Sequence, residues 1–585
     1  MAFLGLHVAI WLVLAVYFAA MLVLGWWCKR SIRDREGFLL GNRQFGTWYM
    51  VMHAFGAGTH PGDVAGVTSK TIERGASGIW VSWMWMFGTP FYWLIAPIVR
   101  RMRCLTLADY FEERFGKAAT VLYVVVATVG MTIATASVLL ATTRTVQGMM
   151  GKATVVKVAN SEAAGDAAAA PAEADRPAWA ARGVASQREA EGWFFGILFV
   201  TTAVFVVYSY WGGIVAAIKT DMAQGLMIIA LSFIAIPIVL SKVGGWATAK
   251  ETVATAAAAG ETYLSLFDPK YFSLLAVLVL CINAPFSMMA QPHLMSVTSA
   301  GRTEWEGRVG FTYGNVIKRV CTMGWCILAL CWLALLIRQG TTVHADAAFG
   351  DAVRGLLPPV LQGVMLACVL AAAMSSGDAL QVTIAGLFSQ NIYRPYVRPE
   401  ADEGHYVKVT RVAGVVIIAA SVAVAIAMRG SVVRTILDYF KLTATVGVSV
   451  VLGILWRRMN TTGVFASTIA AASVFIVTRY ILHWPQAATT GLPLIAGVVF
   501  GVVGSLLGPA PRAEVIEKFF RKIYVPIGQE AKLSQPLDVA VPPEKRLCTA
   551  GGLFLVKPST QSWLGFLITA AVCLALVGIM LLLLA

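Results

Sequence analysis

Charge is what this sequence has least of. Only 13% of its 585 residues are Asp, Glu, Lys or Arg, while 58% are hydrophobic; an ordinary soluble domain carries about 25% charged residues. A water-soluble fold could not hide so much apolar surface, so the bilayer must be the solvent for most of the chain. Paired cysteines are missing too. The nine cysteines are scattered, mostly inside apolar runs (Cys281, Cys321, Cys326, Cys331, Cys368, Cys573), with no C-x-x-C or metal-ligand spacing. They read as small packing residues. A membrane enzyme would need a reactive cluster, and there is no zinc-binding His pair, phosphate loop or nucleophile elbow. No basic helix interleaved with aromatics stands out, so the formal charge of +15 does not signal nucleic acid. The first apolar run, Leu6 to Trp27, is too long for a cleavable signal and lacks a basic n-region.

What is present is a series of long apolar runs. A membrane helix needs about 20 mainly apolar residues. Such runs lie near 8–28, 46–68, 77–99, 118–149, 193–209, 215–241, 270–293, 309–337, 358–388, 408–428, 431–455, 462–482, 488–508 and 562–584. The expected fold class is therefore an all-α membrane protein of about fourteen transmembrane helices. Cations cluster at Lys29 to Arg43, Arg100 to Arg103, Arg302 with Arg308, Arg394 to Arg411, and Arg457-Arg458. With the N-terminus outside, all of these fall on inner loops, as the positive-inside rule requires. The stretch 151–192 becomes an Ala-rich external insertion, and 509–560 the longest inner segment. Within it, Glu514 to Tyr524 is amphipathic, with Val515, Phe519 and Ile523 on one side, and is expected to lie on the inner leaflet.

The second span cannot be an ordinary lipid-facing helix. It reads Gly56-Ala57-Gly58-Thr59-His60-Pro61-Gly62-Asp63, and within a helix Gly costs about 1 and Pro about 3 kcal/mol relative to Ala. Unwound backbone at membrane depth is tolerated only where it lines a cavity, and broken helices of secondary transporters put free carbonyls near cations. A re-entrant kink without ligands is the plainer alternative. The ninth span supplies Ala372, Ser375, Ser376 and Asp378. Its hydroxyls either bond back to the preceding turn or add oxygens to a cation. Lys318 lies roughly 14 Å into its span at 1.5 Å per residue, where a lysine must face a cavity or a partner unless it snorkels. Arg319 beside it could snorkel in the same way. Asp63 is the expected partner of Lys318 across one cavity; alternatively it serves the N-terminus of the outer half-helix.

These stretches, with Gly37 to Arg43, Thr106 to Phe111, Arg114-Phe115-Gly116, Tyr210 to Gly213, Thr220-Asp221, Gln224, Asn391 to Pro395 and Gly453 to Arg458, resemble the sodium:solute symporter family in order and spacing over most of the chain. The resemblance implies a leading helix (8–28), a five-plus-five inverted-repeat core of ten helices (46–455) and trailing helices (462–584). It implies a sodium ion as coupling ion, held by carbonyls of Gly56, Thr59 and Ala372 and hydroxyls of Ser375 and Ser376. Asp221 and Asp378 fall on the ion's route, Asp221 being equally readable as a helix-end carboxylate paired with Lys219 or a loop cation. Matching places His60, Asp63, Ser82, Trp85, Asn283, Ser287 and Lys318 toward the solute, with Asp438 and Tyr439 weaker candidates.

The expected function is sodium-driven uptake of a small organic solute (sugar, amino acid, monocarboxylate or polyol) through the lipid bilayer of the plasma membrane. A proton-coupled transporter of the same fold, or a transporter-like sensor, is the alternative. Gln291-Pro292-His293 resembles proline- and carboxylate-transporting members, but Val297 stands where they carry arginine, and His60 to Asp63 departs from sugar, iodide and proline members. These departures leave the solute class open.

Overall fold

In a computed structural model, residues 2–3, 5–29, 40–153, 187–211, 214–256, 263–341 and 343–585 are described. Residues 37–39 and most of the expected insertion at 151–192 lie outside them, as does the side chain of Asp378. Nine helices among the described residues are long and apolar enough to cross a membrane. The elements that matter for function are α1 (Val8–Lys29), α2 (Thr47–Gly58), α3 (Pro61–Arg74), α4 (Ile214–Phe233), α5 (Leu274–Met289), α6 (Glu304–Gln339), α7 (Pro359–Phe388) and α8 (Val432–Leu455).

Local chemistry sets their ends. At the start of α6, Thr303 accepts the Trp305 N–H at 3.1 Å and Glu306 reaches back to the Thr303 N–H at 2.8 Å, a capping box. At its end Gly340 takes the left-handed conformation (φ 59°) that a side chain would resist. The run expected as one helix over 77–99 is interrupted instead. Short helical turns at Gly75–Ile79, Trp80–Trp83 and Met86–Phe91 precede a regular helix at Tyr92–Arg101. Pro90 lies within the last short turn, where it lacks the N–H a continuous helix needs.

Between membrane helices there is little hydrophobic drive to associate, so close packing must substitute for it. The α2 helix packs against α4, α6 and α7. On α6, Gly314 makes this approach possible: a Cβ there would sit 2.7 Å from the Phe55 nitrogen and the Val51 oxygen. Gly447 of α8 likewise brings that helix against α5, where a Cβ would meet the Phe286 oxygen at 1.9 Å. The leading helix α1 joins the same body, Tyr17 accepting from Gln224 of α4 at 3.1 Å.

The amphipathic helix spans Ala513–Tyr524, and its buried face is Ile516, Phe519, Phe520 and Ile523. This corrects the expectation of a leaflet-facing stripe that includes Val515, because the apolar face is covered by protein. Phe519 packs 5.5 Å from Tyr110, Phe520 lies 5.2 Å from Phe554, and Lys522 pairs with Glu113 at 2.6 Å.

Candidate functional site: the break between α2 and α3

The two halves of the second span part at Thr59 (φ −119°, ψ 99°) and His60 (φ −107°, ψ 162°), both extended. A helix end leaves carbonyls without intrahelical partners and carries partial negative charge. Three of these carbonyls find partners from other helices. The Ser376 hydroxyl of α7 lies 3.3 Å from the Gly56 oxygen and 3.2 Å from the Thr59 oxygen, and the Lys318 ammonium of α6 donates to the Gly58 oxygen. Oxygens octahedrally placed around a cation at about 2.4 Å, a bond length also found for calcium, stand about 3.4 Å apart. The Ser376 hydroxyl stands from each of the Gly56 and Thr59 oxygens at close to that spacing. Ala372 is buried on the same helix one turn earlier.

Ser375 faces a second node. Its hydroxyl donates to Asp221 of α4, whose other oxygen lies 2.6 Å from His53 Nδ1. Asp221 is thus in the interior beside the break, with no solvent exposure, bonded to His53 and Ser375 and not held by Lys219 at a helix end. A Cβ on Gly56 would meet Ser375 Oγ at 2.7 Å, so only glycine lets α2 approach this pair. Sequence reasoning missed His53, although an imidazole in the apolar run Trp48–Phe55 is the kind of residue that marks function inside a membrane.

Asp63 contacts both the start of α3 and Lys318. One oxygen accepts the His60 N–H at 3.1 Å, at the start of α3, and lies 2.8 Å from the Lys318 ammonium. The helix break therefore offers carbonyls on one side and a carboxylate on the other, and Lys318 bridges them.

Beside Lys318 lies a cavity of about 70 Å³ whose wall includes His60, Trp85, Lys318 and Tyr439. Gln291, His293 and Val297 line it as well, as do Asn315, Arg319 and Phe440. The remaining expected solute residues lie elsewhere. Ser82 is 3.1 Å from the Thr322 hydroxyl and accepts from Arg319. Ser287 of α5 is 2.7 Å from Thr443 of α8, which ties two helices together. Asn283 borders a separate small cavity with Lys441 and Thr489. Asp438 is taken by Arg479 at 2.9 Å and Tyr480 at 3.1 Å. Arg319 does not snorkel; it is 1% exposed.

The model of one protein family, the sodium:solute symporter family, matches residues 38–160 and 193–471. The chain belongs to that family. Its relatives include an osmoregulated proline transporter of Bacillus subtilis, 25% identical over 516 residues, covering 84% of this chain and 92% of the relative. A sodium/proline symporter of Escherichia coli is 24% identical over 539 residues, covering 86% and 94%. A solved Na+-coupled sialic acid symporter, substrate-bound and outward-open, superposes with a TM-score of 0.66 at 16% identity, over 87% of this chain and 99% of that one. That likeness shows the fold. The symporter is accordingly a multi-pass membrane protein, sodium is its coupling ion, and it is a transporter, not an enzyme.

Proposed function

We propose that this symporter carries a small organic solute inward with sodium by alternating access across the plasma membrane. The reading rests foremost on Ser376, which draws together the Gly56 and Thr59 carbonyls across the helix break. Sodium is bound there by those carbonyls, the Ala372 carbonyl and the Ser375 and Ser376 hydroxyls. It joins α7 to the broken helix and favours the outward-open arrangement. Asp221, one bond from Ser375, and Asp378, further along α7, lie on the ion's route. The solute occupies the adjoining cavity beside His60, Trp85, Lys318 and Tyr439. In this reading about fourteen helices cross the bilayer, ten of them a five-plus-five inverted repeat, with the N-terminus outside. The names of the relatives, proline and sialic acid transporters, support a small organic solute.

Coupling of this kind is a difference in affinity between two states, not a chemical step. It has a readout that needs no solute. Sodium that binds only the folded protein stabilises it, by about 2.7 kcal/mol at a hundredfold excess over its dissociation constant. The purified protein is expected to melt higher in sodium than in potassium or choline at equal ionic strength. Equal melting in all three salts would refute the proposal.

A further inference from the structure

Counting charge around the cavity points beyond "small organic solute". Two cations, Lys318 and Arg319, line it, and none of its described lining residues is acidic. Lys318 is neutralised from behind by Asp63 at 2.8 Å. Arg319 has no such neighbour. Its Nη1 donates to the Ser82 carbonyl at 2.9 Å and lies 3.4 Å from the Ser82 hydroxyl, and its Nε has no hydrogen-bond partner. Among the described residues no carboxylate lies within ion-pair distance of it. A guanidinium does not shed its proton to escape burial, and an ion left unpaired in the interior costs several kcal/mol. Tyr439 adds a buried hydroxyl without a hydrogen-bond partner. Trp85 and Phe440, 4.6 Å apart edge to face, supply an apolar wall.

Resting on the symporter reading above, we infer that the solute is a short-chain monocarboxylate without a charged amine. Its carboxylate meets Arg319 and the Tyr439 hydroxyl, and its chain lies against Trp85 and Phe440. Arg–carboxylate pairs are among the strongest charge-assisted hydrogen bonds, and such a guest supplies the anion that Arg319 lacks. An ammonium finds no carboxylate on the wall and is repelled by Arg319. A neutral polyol leaves the guanidinium uncompensated. The cavity is small, about 70 Å³, which favours a short chain.

The test is sodium-driven uptake into proteoliposomes holding the full chain, with labelled propionate and lactate competed by propionamide, alanine and proline. These compounds vary charge and amine on similar skeletons. The expected result is uptake of propionate or lactate, with propionamide, alanine and proline competing at least tenfold more weakly. Arg319→Gln is expected to weaken carboxylate competition at least tenfold while sodium still raises the melting temperature. Because Arg319 also braces Ser82, Tyr439→Phe provides a second variant, with carboxylate competition weakened severalfold. Sodium-driven uptake of alanine or proline, competition by propionamide equal to propionate, or unaltered competition in both variants would overturn the carboxylate assignment alone. So would sodium stabilisation with no response to any carboxylate. Failure of sodium to stabilise the protein or drive any uptake would instead remove the symporter reading on which the assignment rests.

Discussion

Lys318→Met is expected to destabilise the folded protein by about 3–5 kcal/mol, the usual cost of stranding one member of a buried ion pair. The ammonium it removes sits 2.8 Å from Asp63 and also holds the Gly58 carbonyl at the end of α2. Without it, a carboxylate that is 2% exposed faces the interior with no lysine beside it, keeping the His60 N–H at 3.1 Å and the His60 imidazole at 3.6 Å. Asp63→Asn is expected to cost a similar amount, because it leaves the ammonium without a counter-charge. The double variant should recover much of the loss, since a neutral pair of similar volume no longer carries a stranded charge. A double-mutant cycle in SDS unfolding measures the coupling directly. Additive losses would mean that the pair does not act as a unit. Uptake should stay low in all three variants, because the double change restores fold stability and not the polarity of the cavity.

Ser376→Ala is expected to raise the sodium concentration for half-maximal uptake about tenfold to a hundredfold, with little loss of stability. Hydrogen bonds and contacts to a charged group are worth about 1.5–3 kcal/mol, and each 1.4 kcal/mol is a factor of ten in affinity. The removed hydroxyl is the oxygen between the Gly56 and Thr59 carbonyls, so the cage loses an oxygen and the link from α7 to the break together. Ser375→Ala should act through a second route as well, by removing the donor to Asp221. Sodium activation curves in proteoliposomes, taken with whichever solute the wild type accumulates, provide the measurement. Unchanged half-maximal sodium in both variants would move the ion elsewhere.

The parts of the site legible in the sequence were those where residue type conflicts with a membrane environment. Glycine and proline at Gly56 to Gly62 forced a break, and a lysine deep in an apolar span required a partner, which made Asp63 a reasonable choice. Other parts were hidden for physical reasons. Arg319 follows Lys318 and points about 100° further round the helix, so a helix with one lipid face would send one of them outward. The α6 helix, however, is buried over most of its surface, and both directions are interior. His53 looked like one polar residue among aromatics until α4 brought Asp221 to 2.6 Å. Ser82 and Ser287 each bond to a neighbouring helix, and a serine that joins two helices has the same sequence signature as one that faces a solute.

The most direct test of sodium coupling at the break is equilibrium binding of ²²Na⁺ to the purified protein, wild type against Ser375→Ala and Ser376→Ala. Sodium held by the Gly56 and Thr59 carbonyls and both hydroxyls predicts saturable binding in the wild type and at least tenfold weaker binding in each variant, both still folded. Wild-type affinity in both variants would contradict that site.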